Sequence, residues 1–314
     1  VIGLCVALAG CGAPVRPLRV GINAWPGYEF LYLAQEMGFY QDEGLAVRLV
    51  EFSSLPDARA AYERGNLDAL GTTVVEVMQA RALPRRELTM VAVIDESVGA
   101  DLVLARPAWR DGGLRGARVG VELGSVGSYV LHRALGAQGL GFADVQVRSA
   151  NQASIGDDLR EDALDAAVTY PPMSTALLAT GEYVPLFDTS AIPGEVVDVL
   201  AVDGALASAA PRRVEALLRA FWRARAEAEA SPAAACALMG AREGVTGEAF
   251  CASLSDGIRL IAPELQADFL GSPARLAPVV DATDRVLREL GQVAGADRRA
   301  GAFTGAFVGQ AGGR

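Results

Sequence analysis

Apolar positions change period along the chain in a fixed order. Phe30, Leu31, Leu33, Ala34 and Met37 recur at helical spacing and the run stops at Gly38, which predicts a helix over about 28–38. Val47, Leu49 and Val50 then interleave with Arg48 and Glu51, which reads as a strand over 46–52. A second helix over about 56–64 starts after Ser53-Ser54 and stops at Gly65. One β-rich run precedes the first helix and another follows Leu67-Asp68-Ala69. An order of β-α-β-α-β requires a parallel sheet, because each strand returns through a crossover helix.

The chain contains this unit twice. Arg19-Val20-Gly21-Ile22 recurs as Arg118-Val119-Gly120-Val121, Gly44-Leu45 as Gly141-Phe142, and LDALGTT (67–73) as LDAAVTY (164–170), with anchors 97 to 99 residues apart. A common spacing across three anchors predicts two similar lobes. Strands at 101–105 and 196–202 flank the second copy and read as two crossings between interleaved lobes. This divides the chain into a first lobe of 18–105 plus 199–295 and a second lobe of 106–198. Helices follow at 212–230, 246–258 and about 273–291. In the first of these Val214, Leu217, Leu218, Phe221 and Trp222 form one stripe, with Arg212, Arg213, Arg223 and Arg225 outside it. The Gly-rich segment 296–314 is expected to be a flexible tail. The fold class is α/β: two Rossmann-like lobes joined by two hinge strands, with C-terminal helices.

Composition narrows the function. With 314 residues, 51% of them apolar and 21% charged, and a mean hydropathy of +0.26, the chain can bury a large core. Its 28 basic and 38 acidic residues leave a net charge of −10, which disfavours nucleic acid as a partner. His132 is the single histidine, so His-based triads and multi-histidine metal sites are excluded within one chain. Gly124-Ser125-Val126-Gly127-Ser128 is not a nucleophile elbow, and no Walker loop occurs. No cofactor, metal or catalytic residue is expected.

The opening VIGLCVALAG is too short to span a bilayer, which takes roughly 20 apolar residues, but suits the core of a secretory signal. Leu8-Ala9-Gly10-Cys11 resembles the lipobox of bacterial lipoproteins, in which the cysteine is lipidated and becomes the mature first residue. Residues 1–17 then read as signal remnant, lipobox and proline-containing tether, and the address as periplasm or cell surface with a lipid anchor. Cys5 would leave with the signal. Cys236 and Cys251 lie in Ala-rich helical patterns that can form a hairpin around Gly244. In an exported chain they form either a disulfide or two buried thiols.

The residues from about 18 to 290 resemble the substrate-binding lipoproteins of bacterial ABC importers of the nitrate/taurine/sulfonate group. The carriers are Asn23-Ala24-Trp25-Pro26-Gly27-Tyr28, the Tyr32-Leu33-Ala34…Gly38-Phe39-Tyr40…Glu43-Gly44-Leu45 run, Gly65-Asn66-Leu67-Asp68-Ala69, and Gly124-Ser125…Ser128. The resemblance implies two lobes that close on a small molecule and deliver it, as a monomer, to ABC permease subunits. Two rivals share the fold: a solute sensor for a membrane signalling protein, and a pyrimidine- or menaquinone-pathway enzyme.

Ligands in parallel α/β sheets bind beyond the carboxyl ends of the strands, near helix N-termini. The loops there are 23–28, 71–76, 95–99, 124–128, 149–152 and 169–173. They nominate Asn23, Trp25, Tyr28, Thr72, Thr73, Asp95, Ser125, Ser128, Asn151 and Tyr170 as ligand-binding residues. Trp25 and Tyr28 offer flat apolar faces with polar tips, or else pack the hinge. Ser125 and Ser128 stand where exposed N–H groups can hold an oxygen, or simply cap a helix. The loops carry Glu29, Glu76, Asp95, Glu96 and Asp101, and the nearest arginine is Arg148. Carboxylates repel anions, so a neutral, zwitterionic or cationic ligand is favoured over nitrate.

Overall fold

A computed structural model of the chain describes residues 16–83 and 86–310. Cys11, the lipobox and most of the tether lie outside the described residues. The described strands are β1 (Leu18–Ile22), β2 (Val47–Glu51), β3 (Ala69–Thr73), β4 (Leu88–Ser97), β5 (Leu102–Ala105), β6 (Arg118–Val121), β7 (Gln146–Ser149), β8 (Ala166–Thr169), β9 (Val184–Asp188), β10 (Val197–Asp203) and β11 (Ile258–Leu260). They form two sheets, in the orders β11-β4-β10-β3-β1-β2 and β7-β6-β8-β5-β9. Each sheet has the same parallel centre, β2-β1-β3 in one and β7-β6-β8 in the other. An antiparallel strand flanks each centre, β10 beside β3 and β5 beside β8.

The lobes therefore begin and end differently from the sequence reading. That reading places 102–105 in the first lobe, whereas β5 pairs with β8 and β9 in the second sheet. It also starts the return at 199, whereas β10 starts at Val197. A four-residue apolar strand carries no mark of which sheet will bury it. The two crossings fall between β4 and β5 and between β9 and β10. They are pinned together: the hydroxyls of Ser97 and Thr189 share a hydrogen bond of 2.7 Å, and Thr189 Oγ1 accepts the N–H of Gly99 at 2.8 Å.

The repeat has a physical reason. Asp68 accepts the backbone N–H of Arg19 at 2.9 Å and its guanidinium at 3.0 and 2.7 Å. Asp165 does the same for Arg118, at 2.8, 2.9 and 2.8 Å. Each clasp ties the start of a central strand to the residue just before its parallel neighbour. A Cβ at Gly21 or Gly120 would strike the side chain of Leu67 or Leu164, so the glycine makes room for the leucine of the paired motif. The Arg-Val-Gly and Leu-Asp-Ala signatures are thus two halves of one junction, made once per lobe.

Helices cover both sheets. Helix Leu55–Glu63 starts on a reciprocal cap, with Ser54 Oγ accepting the N–H of Asp57 at 3.2 Å and donating to its carboxylate at 2.7 Å. Helix Pro211–Ala230 lays Phe221 edge-on against Phe30 of helix Glu29–Glu36, with ring centroids 6.2 Å apart. Arg225, which the spacing puts outside the stripe, is buried instead. Its guanidinium stacks over Phe30 and Trp222 and donates to the carbonyl of Ile261 at 3.3 Å. Cys236 and Cys251 form a disulfide between helices Pro232–Glu243 and Gly247–Ser255, which turn at Gly244 (φ +73°). A loop of that length contributes about 3 kcal/mol in the chain-entropy account.

The segment after 296 is not a loose tail through Gln310. The Arg81 guanidinium donates to the carbonyls of Leu88, Arg298 and Ala300, at 2.9, 2.8 and 2.6 Å. Met90 N–H donates to Ala302 at 2.8 Å, and Ala302 and Phe307 are buried. The glycines hid a short apolar anchor. Among the described residues no helix is long and apolar enough to cross a membrane.

Candidate functional site

The carboxyl ends of the parallel strands of both lobes face one cleft. After β1 the chain enters a turn of 3-10 helix, Pro26–Tyr28, which sets the rings of Trp25 and Tyr28 into the cleft. Two glycines permit this. A Cβ at Gly27 would collide with the Asp95 carboxylate, and one at Gly71 would meet the Tyr28 ring at 3.0 Å. The second lobe contributes Glu122 after β6, Val126 at the start of helix Val126–Ala137, and Tyr170 after β8. The strands leading between lobes contribute Asp95 and Asp198, and the first crossing contributes Asp101.

These groups meet across the lobes. Asn23 Nδ2 donates to the Tyr170 hydroxyl at 3.5 Å, and that hydroxyl donates to Glu122 at 3.4 Å. Trp25 packs edge-on to Tyr170 with centroids 6.0 Å apart. The Trp25 indole N–H donates to Asp95 at 3.1 Å, and the Tyr28 hydroxyl donates to Asp198. Glu76 accepts the Val126 N–H at 2.8 Å, and Arg59 donates to the Gly124 carbonyl at 2.9 Å. The space left among Asn23, Trp25, Tyr28, Thr73, Tyr170 and Asp198 is about 10 Å³. That is room for one water at most, so the lobes are closed on each other here.

The cleft is acidic. Glu76, Asp95, Asp101, Glu122 and Asp198 are all buried. Burial pushes Asp95, Asp101 and Glu122 up to about 7, and lifts Glu76 and Asp198 above the usual carboxylate range. Asp198 is raised further by the charge of Asp95. Burial also raises the hydroxyls of Tyr28 and Tyr170, which stay protonated as donors. Arg225 supplies opposing charge near Asp95.

The structure divides the nominated residues. Asn23, Trp25, Tyr28, Thr73 and Tyr170 line the cavity, and Asp95 stands behind Trp25. Thr72 is buried on the other face of β3. Ser125 caps its helix, accepting the Gly127 N–H at 3.1 Å, and Ser128 Oγ accepts the Gly124 N–H at 3.1 Å. Asn151 is exposed and caps helix Gln152–Arg160 through the Ser154 N–H at 3.0 Å. The serine pair therefore braces the second lobe, and Glu76 occupies the Val126 N–H at the helix start. Asp198 and Glu122 were not nominated. Their signal was a lone acid inside or ending an apolar strand, VVDVLAV and RVGVE.

A wider groove of about 720 Å³ lies elsewhere on the first lobe, beside Arg86, Asp203 and Phe307. Asp203 is at the far end of β10, level with the amino end of β3. This is the wrong end of the parallel strands for a ligand.

Residues 12–240 match the profile of the NMT1-like family. The chain belongs to the NMT1-like family. A Brucella abortus (strain 2308) relative of this NMT1-like chain, described as a binding protein, is 28% identical over 165 residues, or 51% of the chain and 50% of the relative. The chain spans about half the length of the curated relatives it matches. The alkanesulfonate-binding protein of Xanthomonas axonopodis pv. citri, solved with MOPS, superposes with a TM-score of 0.79 at 18% identity, covering 91% of this chain and 97% of that one. The periplasmic aliphatic sulphonate binding protein of Escherichia coli gives 0.74 at 20% identity, covering 90% and 96%. At these identities the likeness shows the fold alone, that of the periplasmic binding proteins.

Proposed function

We propose that this NMT1-like chain is the solute-binding component of an ABC importer, capturing a small polar molecule between its lobes and delivering it to the permease. The observation that carries this reading is that both lobes and both interlobe strands send side chains into one closed cleft. Binding rather than turnover fits the groups that converge there, which are aromatic rings, an amide and carboxyls. His132 stands on the second-lobe helix beside Phe142 and Glu289, outside the cavity lining. The chain works as a monomer outside the cytoplasm, in the periplasm or at the cell surface, and reaches the membrane through lipid on Cys11. A lining of buried carboxyls favours a neutral, zwitterionic or cationic solute over nitrate.

The test is a thermal-shift screen of sulfonates, amines, pyrimidines and amino acids, followed by small-angle scattering. A ligand at 100 times its dissociation constant stabilises by about 2.7 kcal/mol. A hit that also leaves the lobes compact supports the reading. Chemical turnover of a hit would overturn it.

A further inference from the structure

We propose that the cleft seats the head of a small organic cation, an ammonium or amidinium group, on the paired carboxyls of Asp95 and Asp198, and that the cation enters in exchange for a proton. This rests on the solute-binding reading and narrows it.

Asp95 and Asp198 stand directly opposite each other in the antiparallel register of β4 and β10, and both are buried. Opposed carboxylates on one face of a ladder repel when both are charged, and more so away from water. Each uses one oxygen: Asp95 Oδ2 takes the Trp25 indole and Asp198 Oδ1 takes the Tyr28 hydroxyl. Asp95 and Asp198 also hydrogen-bond to each other, which two carboxyls can do only by sharing a proton, and Asn23 Oδ1 has no partner among the described residues. Asn23 and Asp198 line the cavity directly. The cavity thus meets one unpartnered acceptor, Asn23 Oδ1, and the Asp198 carboxyl, with Asp95 joined to it from behind.

Donor chemistry decides what satisfies them. Ammonium and amidinium groups carry several N–H donors and no acceptor, whereas nitrate and sulfonate carry only acceptors. A neutral amide offers two donors but leaves the charge of the pair unanswered. The rings of Trp25, Tyr28 and Tyr170 line the same space, and aromatic rings attract a cation placed over their faces. No group of three or more His, Cys, Asp or Glu among the described residues is arranged to hold a metal ion, which points to an organic cation.

The charges facing the pair come from several elements. Asp101 adds negative charge to both carboxyls, and Glu76 does so at Tyr28, which donates to Asp198. Arg225, from helix Pro211–Ala230, opposes Asp95, but it is held by the Ile261 carbonyl and shares its charge with Glu229 at 3.6 Å. One buried arginine does not neutralise the cluster, so the pair holds a proton until a cation replaces it. Burial, which raises both carboxyls, points the same way. The displaced proton passes to solvent.

The experiment uses three probes of one shape, benzamidine, benzamide and benzenesulfonate, with acetamidine, acetamide and methanesulfonate as a smaller set. Each is titrated into the full chain by calorimetry between pH 5.5 and 8, in two buffers of different ionisation enthalpy. The expected result is amidinium binding at least tenfold tighter than the amide, with release of up to one proton. Affinity should rise by up to tenfold per pH unit below the pair's titration. Asp198→Asn should cost 100-fold and abolish proton release, and Asp95→Asn serves if that variant misfolds. Sulfonate binding without amidinium binding overturns the cation seat and leaves the solute-binding reading standing. Amidinium binding that releases no proton, or that survives in a folded variant, also overturns the seat. Binding of none of the three classes in either set overturns the cation seat, and the wider thermal-shift screen then decides the solute-binding reading.

Discussion

The carboxylate of Glu76 accepts the backbone N–H of Val126 across the lobe boundary, at 2.8 Å. A side chain of the first lobe thereby caps the helix start of the second, where charge and exposed N–H groups favour an anion. Hydrogen bonds to charged groups contribute about 1.5–3 kcal/mol, or roughly 10- to 150-fold in the ratio of closed to open molecules. Glu76→Ala should therefore loosen the lobes. The measurement is the radius of gyration by small-angle scattering, expected to be larger than in the parent. An unchanged radius would show that the remaining contacts, Arg59 to Gly124, Asn23 to Tyr170 and the aromatic rings, suffice to hold the cleft shut.

Stability should fall as pH rises through the neutral range. Asp95, Asp101 and Glu122 sit at about 7 in the fold, against ordinary carboxyl values of about 4. Between those values the folded chain binds more protons than the unfolded one, so its stability declines from pH 4 to 7 and levels off above. Asp68 is pushed up by burial but held below its ordinary value by Arg19, and Asp165 is held down by its bonds to Arg118. Their contribution is lost only on the acid side of the ordinary value. The melting temperature at pH 5 should exceed that at pH 8 by several degrees, and Asp101→Asn should flatten the slope.

The twin clasps predict twin effects. Asp68→Ala leaves a backbone N–H and a guanidinium of Arg19 without their acceptor, and Asp165→Ala does the same to Arg118. Each should destabilise its own lobe by about 2 kcal/mol. Hydrogen exchange should localise the loss, to β1 and β3 in the first variant and to β6 and β8 in the second. Spread of either effect equally over both sheets would contradict the idea of two independent junctions.

Cys236→Ser with Cys251→Ser should lower unfolding stability by about 3 kcal/mol. Denaturant unfolding with and without reductant measures it. The reduced parent should match the double variant.

Much of the fold was legible because the repeat is itself a structural junction. Arg19 and Asp68 are 49 residues apart, as near in kind to Arg118 and Asp165 as the spacing suggests. The aromatic side of the cleft was legible too, since Trp25 and Tyr28 follow directly on a strand end. The acidic side was not. Asp198 lies in an apolar strand, and its meeting with Asp95 depends on a pairing between strands separated by the whole second lobe. Ser125 and Ser128 were ambiguous for a different reason. A serine at a helix start looks the same whether it serves a ligand or its own backbone, and here it serves the backbone.

The placing of β10 between β3 and β4 fixes an order of events during synthesis. A growing chain delivers everything up to Ser97 long before it delivers Val197–Asp203. Until then the first sheet lacks a strand from its middle, and its two parts have nothing to pair across. The second sheet runs from Leu102 to Asp188 without interruption and can be completed earlier. Pulse proteolysis of the refolding or emerging chain should find that stretch protected first. The part of the protein made first is then the part finished last, and the cleft comes into being only when a strand from the far side of the younger lobe returns to fill the older one.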